Sequence, residues 1–450
     1  MKVAVIGGTG YVGLVTGIGL AIHRHQVVCA DIDSERVREL NRGILPIYEE
    51  NLEEMLEEAR KTNHIYFTSC IRDAVVGAEV IIMAVGTPEN KNGDADLTYL
   101  LRALKEVAHF ISGYKVIAIK STVPVGTCRM AAEFVKENLR KAGCDFDVVS
   151  NPEFLREGSA VKDFMFPERI VIGADSERAA MTIKKLYGTF NAPVIITDTK
   201  SSELIKYACN SYLATRISFI NEIAEICEKT GTDIKAVISG MKLDKRIGGA
   251  YLSPGPGFGG PCLSKDLKSL INFASRANAD VGLLKSVLGR NELQIKNIFD
   301  KIFSVFDSSG NNKITILGLS FKAGTNDTRN SPAVDLLELL AGTKNRIAVY
   351  DPVVKAQDMP LFSENENVEF AASLSAAAED SDCLIIMTEW EEFRSLNLEE
   401  ACRKMRTHLI IDTRNLLNRS EAIEAGFQYI GLGTGEPSRE SLEEELKCIV

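Results

Sequence analysis

The sequence lacks the cysteine spacings that disulfide frameworks and metal sites use. Its ten cysteines are scattered through 450 residues, and none of them forms a C-x-x-C pair. Scattered single cysteines suit a reducing compartment better than an oxidising one. We therefore expect a cytoplasmic protein whose function needs no metal ion.

The chain also lacks a basic run and an uninterrupted membrane-spanning segment. Lys and Arg number 52 against 62 Asp and Glu, so the net charge is -10, and nucleic acid and anionic membranes are poor candidate partners. Residues 3–22 carry no charge, but six glycines among them argue against a continuous helix in lipid. With 45% hydrophobic and 25% charged residues, the composition predicts a globular protein of two or three domains.

The glycines of residues 3–22 fit a dinucleotide site. A buried-type strand at residues 3–6 leads into Gly8-Thr9-Gly10-Tyr11-Val12-Gly13, and an apolar helix follows. This order lets backbone N-H groups approach a pyrophosphate at the helix N-terminus. A second strand at residues 26–30 ends in Asp31, which is placed to accept hydrogen bonds from a ribose 2′-hydroxyl and would repel a 2′-phosphate. The pattern therefore favours NAD over NADP.

An extra glycine, Gly7, creates a competing interpretation. The spacing Gly7-x-x-Gly10-x-x-Gly13 is typical of short-chain dehydrogenases and sugar-nucleotide epimerases. The chemistry of those enzymes needs a Tyr-x-x-x-Lys pair, and no tyrosine in this chain has a lysine four residues later. The epimerase interpretation is therefore disfavoured.

The order of strands and helices predicts the fold class. In the first third, further strands are expected at residues 65–68, 80–85, 116–120 and 146–149. From residue 201 to about residue 229 neither glycine nor proline occurs, which predicts one helix about 40 Å long. After a break at residues 308–312, strands are expected at residues 313–317, 346–350, 383–387 and 409–411, and an acidic, peripheral tail follows Gly435. We expect an α/β protein with two Rossmann-like doubly wound parallel-sheet domains joined by a long central helix.

Cys262 is the strongest candidate for a nucleophile. It follows Gly259-Gly260-Pro261 on a sharp bend, and the residues from Ser264 predict a helix start. A thiol at a helix N-terminus gains from the helix dipole, and a neighbouring Lys265 would lower its pKa further. Single cysteines are more often small buried hydrophobic residues, so this prediction depends on the rest of the chain.

Separated motifs along nearly the whole chain resemble the UDP-glucose/GDP-mannose dehydrogenase family. Besides residues 8–13 and Asp31, the motifs are Gly86-Thr87-Pro88, Ser121-Thr122-Val123-Pro124-Val125-Gly126, and residues 151–158, 203–210, 257–266 and 321–329. The resemblance implies a four-electron oxidation of a sugar-nucleotide alcohol to a carboxylate, with two NAD molecules used in succession. It implies that Cys262 captures an aldehyde as a thiohemiacetal, which becomes a thioester and is then hydrolysed.

The resemblance also implies which residues act. Catalytic roles go to Cys262 as nucleophile, Lys206 and Asn210 as donors to oxyanions, Asp266 and Thr122 for ordering water, and Glu153 as general base. The residues expected at NAD are Gly8, Gly10, Tyr11, Val12, Gly13, Asp31, Arg36, Thr87, Thr122, Lys265 and Arg329. Those expected at the sugar nucleotide are Glu153, Phe154, Leu155, Lys206, Asn210, Arg246, Tyr251, Phe258, Gly259 and Lys322.

The domain roles and the substrate follow from the same resemblance. It implies an NAD-binding domain at residues 1–200, a central helical dimerisation region with the cysteine loop at 201–307, and a UDP-sugar-binding domain at 313–450. Residues 153–173 are most similar to bacterial enzymes that act on UDP-glucose, so we expect that substrate and a homodimer. GDP-mannose and UDP-N-acetylaminosugars remain alternatives, as does a non-catalytic sugar-nucleotide sensor.

Overall fold

The computed structural model describes residues 1–140, 144–306 and 310–434, without the side chains of residues 361 and 363. Part of the predicted break at residues 308–312 and the tail after Gly435 lie outside these residues. The chain divides into two compact units. The first comprises Met1–Asn210 and Lys268–Asp280, and the second comprises Ser211–Leu267 and the chain from Val281 on.

An eight-stranded sheet forms the first unit. Its strands are β1 (Lys2–Ile6), β2 (Gln26–Ala30), β3 (Ile65–Thr68), β4 (Val80–Met83), β5 (Lys115–Ile119), β6 (Phe146–Ser150), β7 (Ile170–Gly173) and β8 (Val194–Thr197). Its helices are α1 (Tyr11–Ile22), α2 (Ser34–Arg42), α3 (Leu52–Lys61), α4 (Ile71–Val75), α5 (Thr98–Phe110), α6 (Thr127–Glu137), α7 (Ala160–Met165) and α8 (Glu177–Leu186). The strand order β3-β2-β1-β4-β5-β6-β7-β8 reverses its winding between β1 and β4, which confirms the doubly wound prediction.

Both faces of this sheet are covered at its centre, which explains the continuous apolar runs of β4 and β5. Along β1, Val3 and Val5 join one hydrophobic core while Ala4 and Ile6 join the other, because successive side chains point to opposite faces. The four residues of β4 are all buried. In sheets covered in this way, ligands bind outside the carboxyl ends of the strands.

The last two strands depart from a purely parallel sheet. β6 and β7 are antiparallel and pair only through Ser150 and Gly173, whereas β7 and β8 are parallel to each other. The Asn151 side chain extends this short contact by donating to the Val171 carbonyl at 2.9 Å. Apolar patterning indicates that a strand exists but not which way it runs, so the sequence could not reveal this reversal.

Four helices lie between the two sheets in the sequence: α9 (Thr199–Thr230), α10 (Ile234–Leu243), α11 (Leu263–Arg276) and α12 (Gly282–Val305). The 32 residues of α9 confirm the predicted long helix and extend over about 48 Å at 1.5 Å per residue. Both α9 and α11 contribute residues to each compact unit. Among the described residues, no helix has the length and apolarity needed to cross a membrane.

The second unit contains a six-stranded, fully parallel sheet. Its strands are β9 (Lys313–Leu317), β10 (Arg346–Tyr350), β11 (Val368–Phe370), β12 (Cys383–Ile386), β13 (Leu409–Asp412) and β14 (Gln428–Gly431). Its later helices are α13 (Pro332–Ala341), α14 (Pro360–Ser363), α15 (Leu374–Ala378), α16 (Glu391–Arg394), α17 (Leu398–Lys404) and α18 (Arg419–Glu424). The order β11-β10-β9-β12-β13-β14 repeats the reversal of the first sheet, between β9 and β12, and confirms the second Rossmann-like domain.

Candidate active site

The glycine turn after β1 is too compact to hold side chains. A Cβ at Gly13 would lie 2.1 Å from the Gly7 carbonyl oxygen, and one at Gly8 would lie 2.6 Å from Cys29 Cβ. Gly7 has φ +80°, and its own Cβ would lie 2.8 Å from the Ala84 carbonyl oxygen. Gly10, the N-cap of α1, provides no side-chain cap, and the first turn of α1 holds no acidic residue. The N-H groups of this helix end therefore suit a phosphate.

Asp31 lies beside this turn, at the end of β2. Its Oδ2 accepts the N-H of Thr9 at 3.0 Å, and its Oδ1 accepts the N-H of Asp33 at 3.2 Å. Each carboxylate oxygen has a second lone pair, so both remain able to accept a ribose hydroxyl. The glycine turn and Asp31 together fit an NAD molecule with its pyrophosphate at α1.

Loops after β4 and β5 meet at the same edge of the sheet. The Thr87 hydroxyl donates to the Thr122 carbonyl at 2.8 Å, and the Ser121 hydroxyl donates to the Val85 carbonyl at 2.6 Å. Adjacent parallel strands end together, which brings these loops within reach of one ligand. Thr87 and Thr122, both predicted at NAD, therefore belong to one hydrogen-bonded edge.

Glu203 of α9 holds the loop that carries Thr122, a role that the sequence analysis missed. Its carboxylate accepts the N-H of Gly126 at 2.5 Å and the N-H of Cys128 at 2.7 Å, at the N-terminus of α6. Burial raises the pKa of Glu203, and these two hydrogen bonds oppose part of that effect. Glu203 lies within residues 203–210, one of the motifs that resemble a known family, but its partners are 75 and 77 residues away, so spacing gave no signal.

Tyr11 and Glu49 connect α1 to residues 151–158. The Tyr11 hydroxyl donates to Glu49 and accepts the N-H of Gly158 at 2.9 Å, while Glu49 also accepts that N-H at 2.8 Å. Burial and the Glu49 carboxylate raise the pKa of Tyr11. The Tyr11 hydroxyl thus joins the start of α1 to residues 151–158, the segment that contains the predicted catalytic residue Glu153.

The residues around Glu153 form a buried ionic centre. Lys206 Nζ lies 2.8 Å from Glu153 Oε1, and their side chains are 6% and 8% exposed, so the pair is shielded from water. Glu153 also accepts the Leu155 N-H. The Phe154 ring lies near two cations, with its centroid 3.9 Å from Arg169 Cζ and 5.4 Å from Lys206 Nζ. The predicted residues Glu153, Phe154 and Lys206 are therefore in contact, and Asn210 lies one turn further along α9 and is buried.

In the second unit, the cysteine loop leads from a buried stem to an exposed thiol. Residues 254–258 are buried, whereas the Cys262 side chain is exposed. Helix α11 begins at Leu263, and the Asp266 N-H donates to the Cys262 carbonyl at 2.9 Å in its first turn. The predicted helix start after the bend is confirmed, and the thiol lies at its N-terminal end.

Lys265, the predicted cationic neighbour of Cys262, lies in an ion pair. Lys265 Nζ lies 2.6 Å from Asp266 Oδ1, and the Asp266 side chain is 1% exposed. Because the Asp266 carboxylate pairs with Lys265, the ammonium group is not an isolated positive charge beside the thiol. Any effect of Lys265 on Cys262 is therefore shared with Asp266.

The loop after β9 carries Lys322 and lies against the cysteine loop. A Cβ at Gly260 would meet the Phe321 ring at 2.8 Å, which places the two loops in contact. Arg414, which follows β13, donates to the Phe321 carbonyl at 3.3 Å and forms an ion pair with Glu389 at 3.1 Å. Arg414 is a second cation at the Lys322 loop, bonded to its backbone, and the sequence analysis missed it. The sequence signal for Arg414 was its position shortly after a buried strand, at the end where ligands bind in such sheets.

Other predicted residues lie in local contacts. Three arginines each pair with an aspartate two or three positions earlier: Arg36 with Asp33 (3.4 Å), Arg246 with Asp244 (2.5 Å) and Arg329 with Asp327 (2.9 Å). Tyr251 has a left-handed backbone with φ +58°.

In the described part of the chain, no group of three or more His, Cys, Asp or Glu side chains could hold a metal ion.

A doubly wound sheet with a glycine turn, an acidic residue after β2 and an uncapped first helix defines an NAD-binding protein. The chain belongs to the UDP-glucose/GDP-mannose dehydrogenase family. The family's NAD binding domain matches residues 1–191, its central domain residues 200–293, and its UDP binding domain residues 315–419.

Individual relatives cover almost the full chain. The UDP-glucose 6-dehydrogenase TuaD of Bacillus subtilis (strain 168) is 44% identical, over 96% of this chain and 93% of the relative. A UDP-glucose dehydrogenase structure from Pyrobaculum islandicum has a TM-score of 0.89 at 34% identity, and covers 96% of this chain and 97% of that one. A UDP-D-ManNAc dehydrogenase structure from Pyrococcus horikoshii has a TM-score of 0.85 at 31% identity, and covers 97% and 100%.

The buried Glu153–Lys206 pair predicts a large stability loss when one charge is removed. Lys206→Met should lower the free energy of unfolding by about 3–5 kcal/mol, because Glu153 is left buried without its counter-ion. The matched control is Lys61→Met, which removes an exposed Lys61–Glu57 pair of 2.5 Å and should leave the stability almost unchanged, because water screens both charges. Urea denaturation gives the free energy of unfolding of both variants and of the wild type.

The second charge can then be neutralised as a check. Adding Glu153→Gln to Lys206→Met should recover part of the lost stability, since the uncompensated carboxylate is gone. Equal costs for Lys206→Met and Lys61→Met would contradict the buried pair.

Proposed function

We propose that this chain oxidises the C6 alcohol of UDP-glucose to a carboxylate through a thioester on Cys262, with two NAD molecules reduced. The observation that carries the proposal is an exposed thiol at the end of a buried loop, directly before α11. The Lys322 loop, which lies against this cysteine loop, belongs to the region that matches the family's UDP binding domain. Two similar proteins are named UDP-glucose dehydrogenases, which supports the choice of sugar nucleotide.

The first oxidation removes two electrons and two protons from the C6 carbinol. The glycine turn and Asp31 would hold NAD, which when bound would supply the hydride acceptor for C6 in each oxidation. The hydroxyl proton is lost as the aldehyde forms, and the Cys262 thiolate then adds to the aldehyde carbon, so that a C–S bond forms and the oxygen becomes an oxyanion. We assign Lys206 and Asn210 as hydrogen-bond donors to this oxyanion, because an ammonium group and an amide N-H are suitable donors.

The second oxidation converts the thiohemiacetal to a thioester, and hydrolysis releases the product. Water attacks the thioester carbon, the C–S bond breaks, and Cys262 leaves as a thiolate. We assign Glu153 as the general base that takes the proton from water, with Asp266 and Thr122 ordering that water. Keeping the aldehyde bound to Cys262 prevents its escape between the two oxidations.

The remaining site residues are proposed as ligand contacts. Gly8, Gly10, Tyr11, Val12, Gly13, Asp31, Arg36, Thr87, Lys265 and Arg329 are assigned to NAD. Phe154, Leu155, Arg246, Tyr251, Phe258, Gly259 and Lys322 are assigned to the sugar nucleotide. The same proposal gives NAD binding to residues 1–200, dimerisation and the cysteine loop to 201–307, and UDP-sugar binding to 313–450.

An unmodified thiol fits a reducing compartment, and we propose that the protein works in the cytoplasm. Among the other cysteines that the structure describes, Cys29 is a buried free thiol and Cys70 an exposed one. A thiol nucleophile has to stay reduced to act, which a reducing compartment favours.

Removing the thiol tests the proposed chemistry. Cys262→Ala should bind NAD and UDP-glucose within about twofold of the wild type but form no UDP-glucuronate, because no thioester can form. Cys70→Ala, which removes another exposed thiol, is the control and should keep full activity. Calorimetry measures the binding of NAD and UDP-glucose, and chromatography measures the UDP-glucuronate formed.

Substrate choice is measured in the same assay. UDP-glucose should be oxidised far faster than GDP-mannose or UDP-N-acetylmannosamine, the latter included because the Pyrococcus horikoshii relative is named for UDP-D-ManNAc. Full carboxylate formation by Cys262→Ala would overturn the thioester route. Tight sugar-nucleotide binding without any NAD reduction in the wild type would favour a sensor.

We further propose that the protein is a homodimer joined through α9. Tyr212, Phe219 and Ile226 are spaced seven residues apart on this helix and are 60%, 49% and 49% exposed. Large apolar side chains at this spacing form one stripe, which suits contact with a second helix. A second copy of the chain supplies an identical stripe, as two-fold symmetric interfaces require.

Disrupting this stripe tests the dimer. Phe219→Asp should shift the sedimentation mass from twice the 49.3 kDa chain mass towards a single chain, because a carboxylate would be buried in the interface. The control Ile423→Asp changes an apolar residue of α18 that is 50% exposed and should leave the mass unchanged. A dimer that survives Phe219→Asp, or a monomeric wild type, contradicts the proposed interface.

A further inference from the structure

The stem of the cysteine loop is buried without belonging to a helix or strand. Gly255, Gly257 and Phe258 are all buried, and Phe258 is 4% exposed. Buried backbone N-H and C=O groups need hydrogen-bond partners, and irregular backbone cannot find them in a helix or a sheet. The partners of this stem therefore decide how firmly it is held.

Asn291 of α12 provides two of these partners on a single residue. Its Oδ1 accepts the Phe258 N-H at 2.7 Å, and its Nδ2 donates to the Phe258 carbonyl at 3.0 Å. A Cβ on Gly257 would lie 2.8 Å from Asn291 Oδ1, so the glycine, with φ +115°, allows the amide to come this close. The side chain of Asn291 thus pairs with Phe258 much as a neighbouring β-strand would.

Two further amides hold the start of the stem. Gln294, three residues after Asn291 and on the same face of α12, donates through Nε2 to the Gly255 carbonyl at 2.8 Å. Asn221 of α9 accepts the Gly255 N-H through Oδ1 at 2.8 Å. Both amide side chains are buried, at 5% and 2% exposure, so these bonds are protected from water.

The far end of the stem is held next to the thiol itself. The Gly260 N-H donates to the Asn330 carbonyl at 3.3 Å, and Asn330 Nδ2 donates to the Gly260 carbonyl at 3.3 Å. Only Pro261, whose φ is fixed by its ring, separates Gly260 from Cys262. The loop is therefore fixed from Gly255 to Gly260, and Cys262 extends from its end.

We propose that Asn291 is a positioning residue for Cys262, a proposal that rests on the thioester route described above. Asn291 contacts the backbone of Phe258, four residues before the thiol, and acts through that backbone. Capture of an aldehyde needs the sulfur within about 3–3.5 Å of the carbon and correctly aligned, so a small displacement is costly. Loss of the two Phe258 bonds should therefore slow aldehyde capture more than it weakens NAD binding.

The distribution of products measures positioning separately from stability. A variant that merely folds less well has fewer active molecules but still converts each captured aldehyde to carboxylate. A variant with a misplaced thiol loses aldehyde to solution, where hydroxylamine traps it as an oxime. The ratio of oxime to UDP-glucuronate does not depend on the amount of active enzyme, so a purely structural role would not change it.

The experiment compares Asn291→Ala, Asn291→Asp and the wild type with UDP-glucose, NAD and hydroxylamine. Asn291→Ala should raise the oxime-to-carboxylate ratio by roughly 10-fold or more, since a 1 Å misplacement costs up to about 100-fold in rate. The KM for NAD should change by less than about twofold, because Asn291 bonds Phe258, which is assigned to the sugar nucleotide and not to NAD. Asn291→Asp keeps the acceptor for the Phe258 N-H but loses the donor to its carbonyl, so it should give an intermediate ratio.

Asn272→Ala is the matched control. Asn272 is another half-buried asparagine that donates to a backbone carbonyl, that of Asn92 at 2.7 Å, and its variant should keep the wild-type ratio. A wild-type oxime-to-carboxylate ratio in both Asn291 variants would overturn the positioning role. If Asn291→Ala fails to fold, the ratio measured for Asn291→Asp alone tests the proposal. Abundant oxime from the wild type would instead contradict the thioester route itself.

Discussion

Buried irregular backbone has to be hydrogen-bonded, and this constraint shapes the functional loops in both units. In the first unit, the Asp31 carboxylate accepts the Thr9 N-H of the glycine turn. In the second unit, Asp351 follows β10 as Asp31 follows β2, and it accepts the N-H groups of Leu319 and Ser320 at 2.8 and 3.1 Å. Side chains from elsewhere in the fold thus provide the hydrogen bonds that the backbone of these loops cannot form within a helix or a sheet. Such loops can stay rigid and still present groups to a ligand.

The same constraint explains why charged side chains lie inside the first unit. A carboxylate accepts several N-H groups at once, but burying it is costly unless a cation or further hydrogen bonds compensate its charge. Glu203 is compensated by backbone N-H groups of α6, and Glu153 by Lys206. The pair at Glu153 therefore serves the structure as well as the proposed chemistry, since a fixed ammonium–carboxylate pair supplies both a donor and a base.

A feature could be predicted from the sequence when the residues that determine it are close together along the chain. The strand, glycine turn and helix around Gly8 to Gly13 are determined locally, and the prediction of both doubly wound sheets is confirmed. The helix start after Cys262 was predicted for the same reason. The reversed direction of β7 leaves no trace in an apolar run. The contact of Asn291 with Phe258 joins residues 33 positions apart, and only the folded chain brings them together.

The most direct measurement of the central claim is the number of NADH molecules formed for each UDP-glucose consumed by the wild-type protein. A thiol that captures the aldehyde commits each substrate molecule to both oxidations, so the account predicts two NADH and one UDP-glucuronate. One NADH per UDP-glucose, with free aldehyde as the product, would contradict it, because Cys262 would then play no part in a second oxidation.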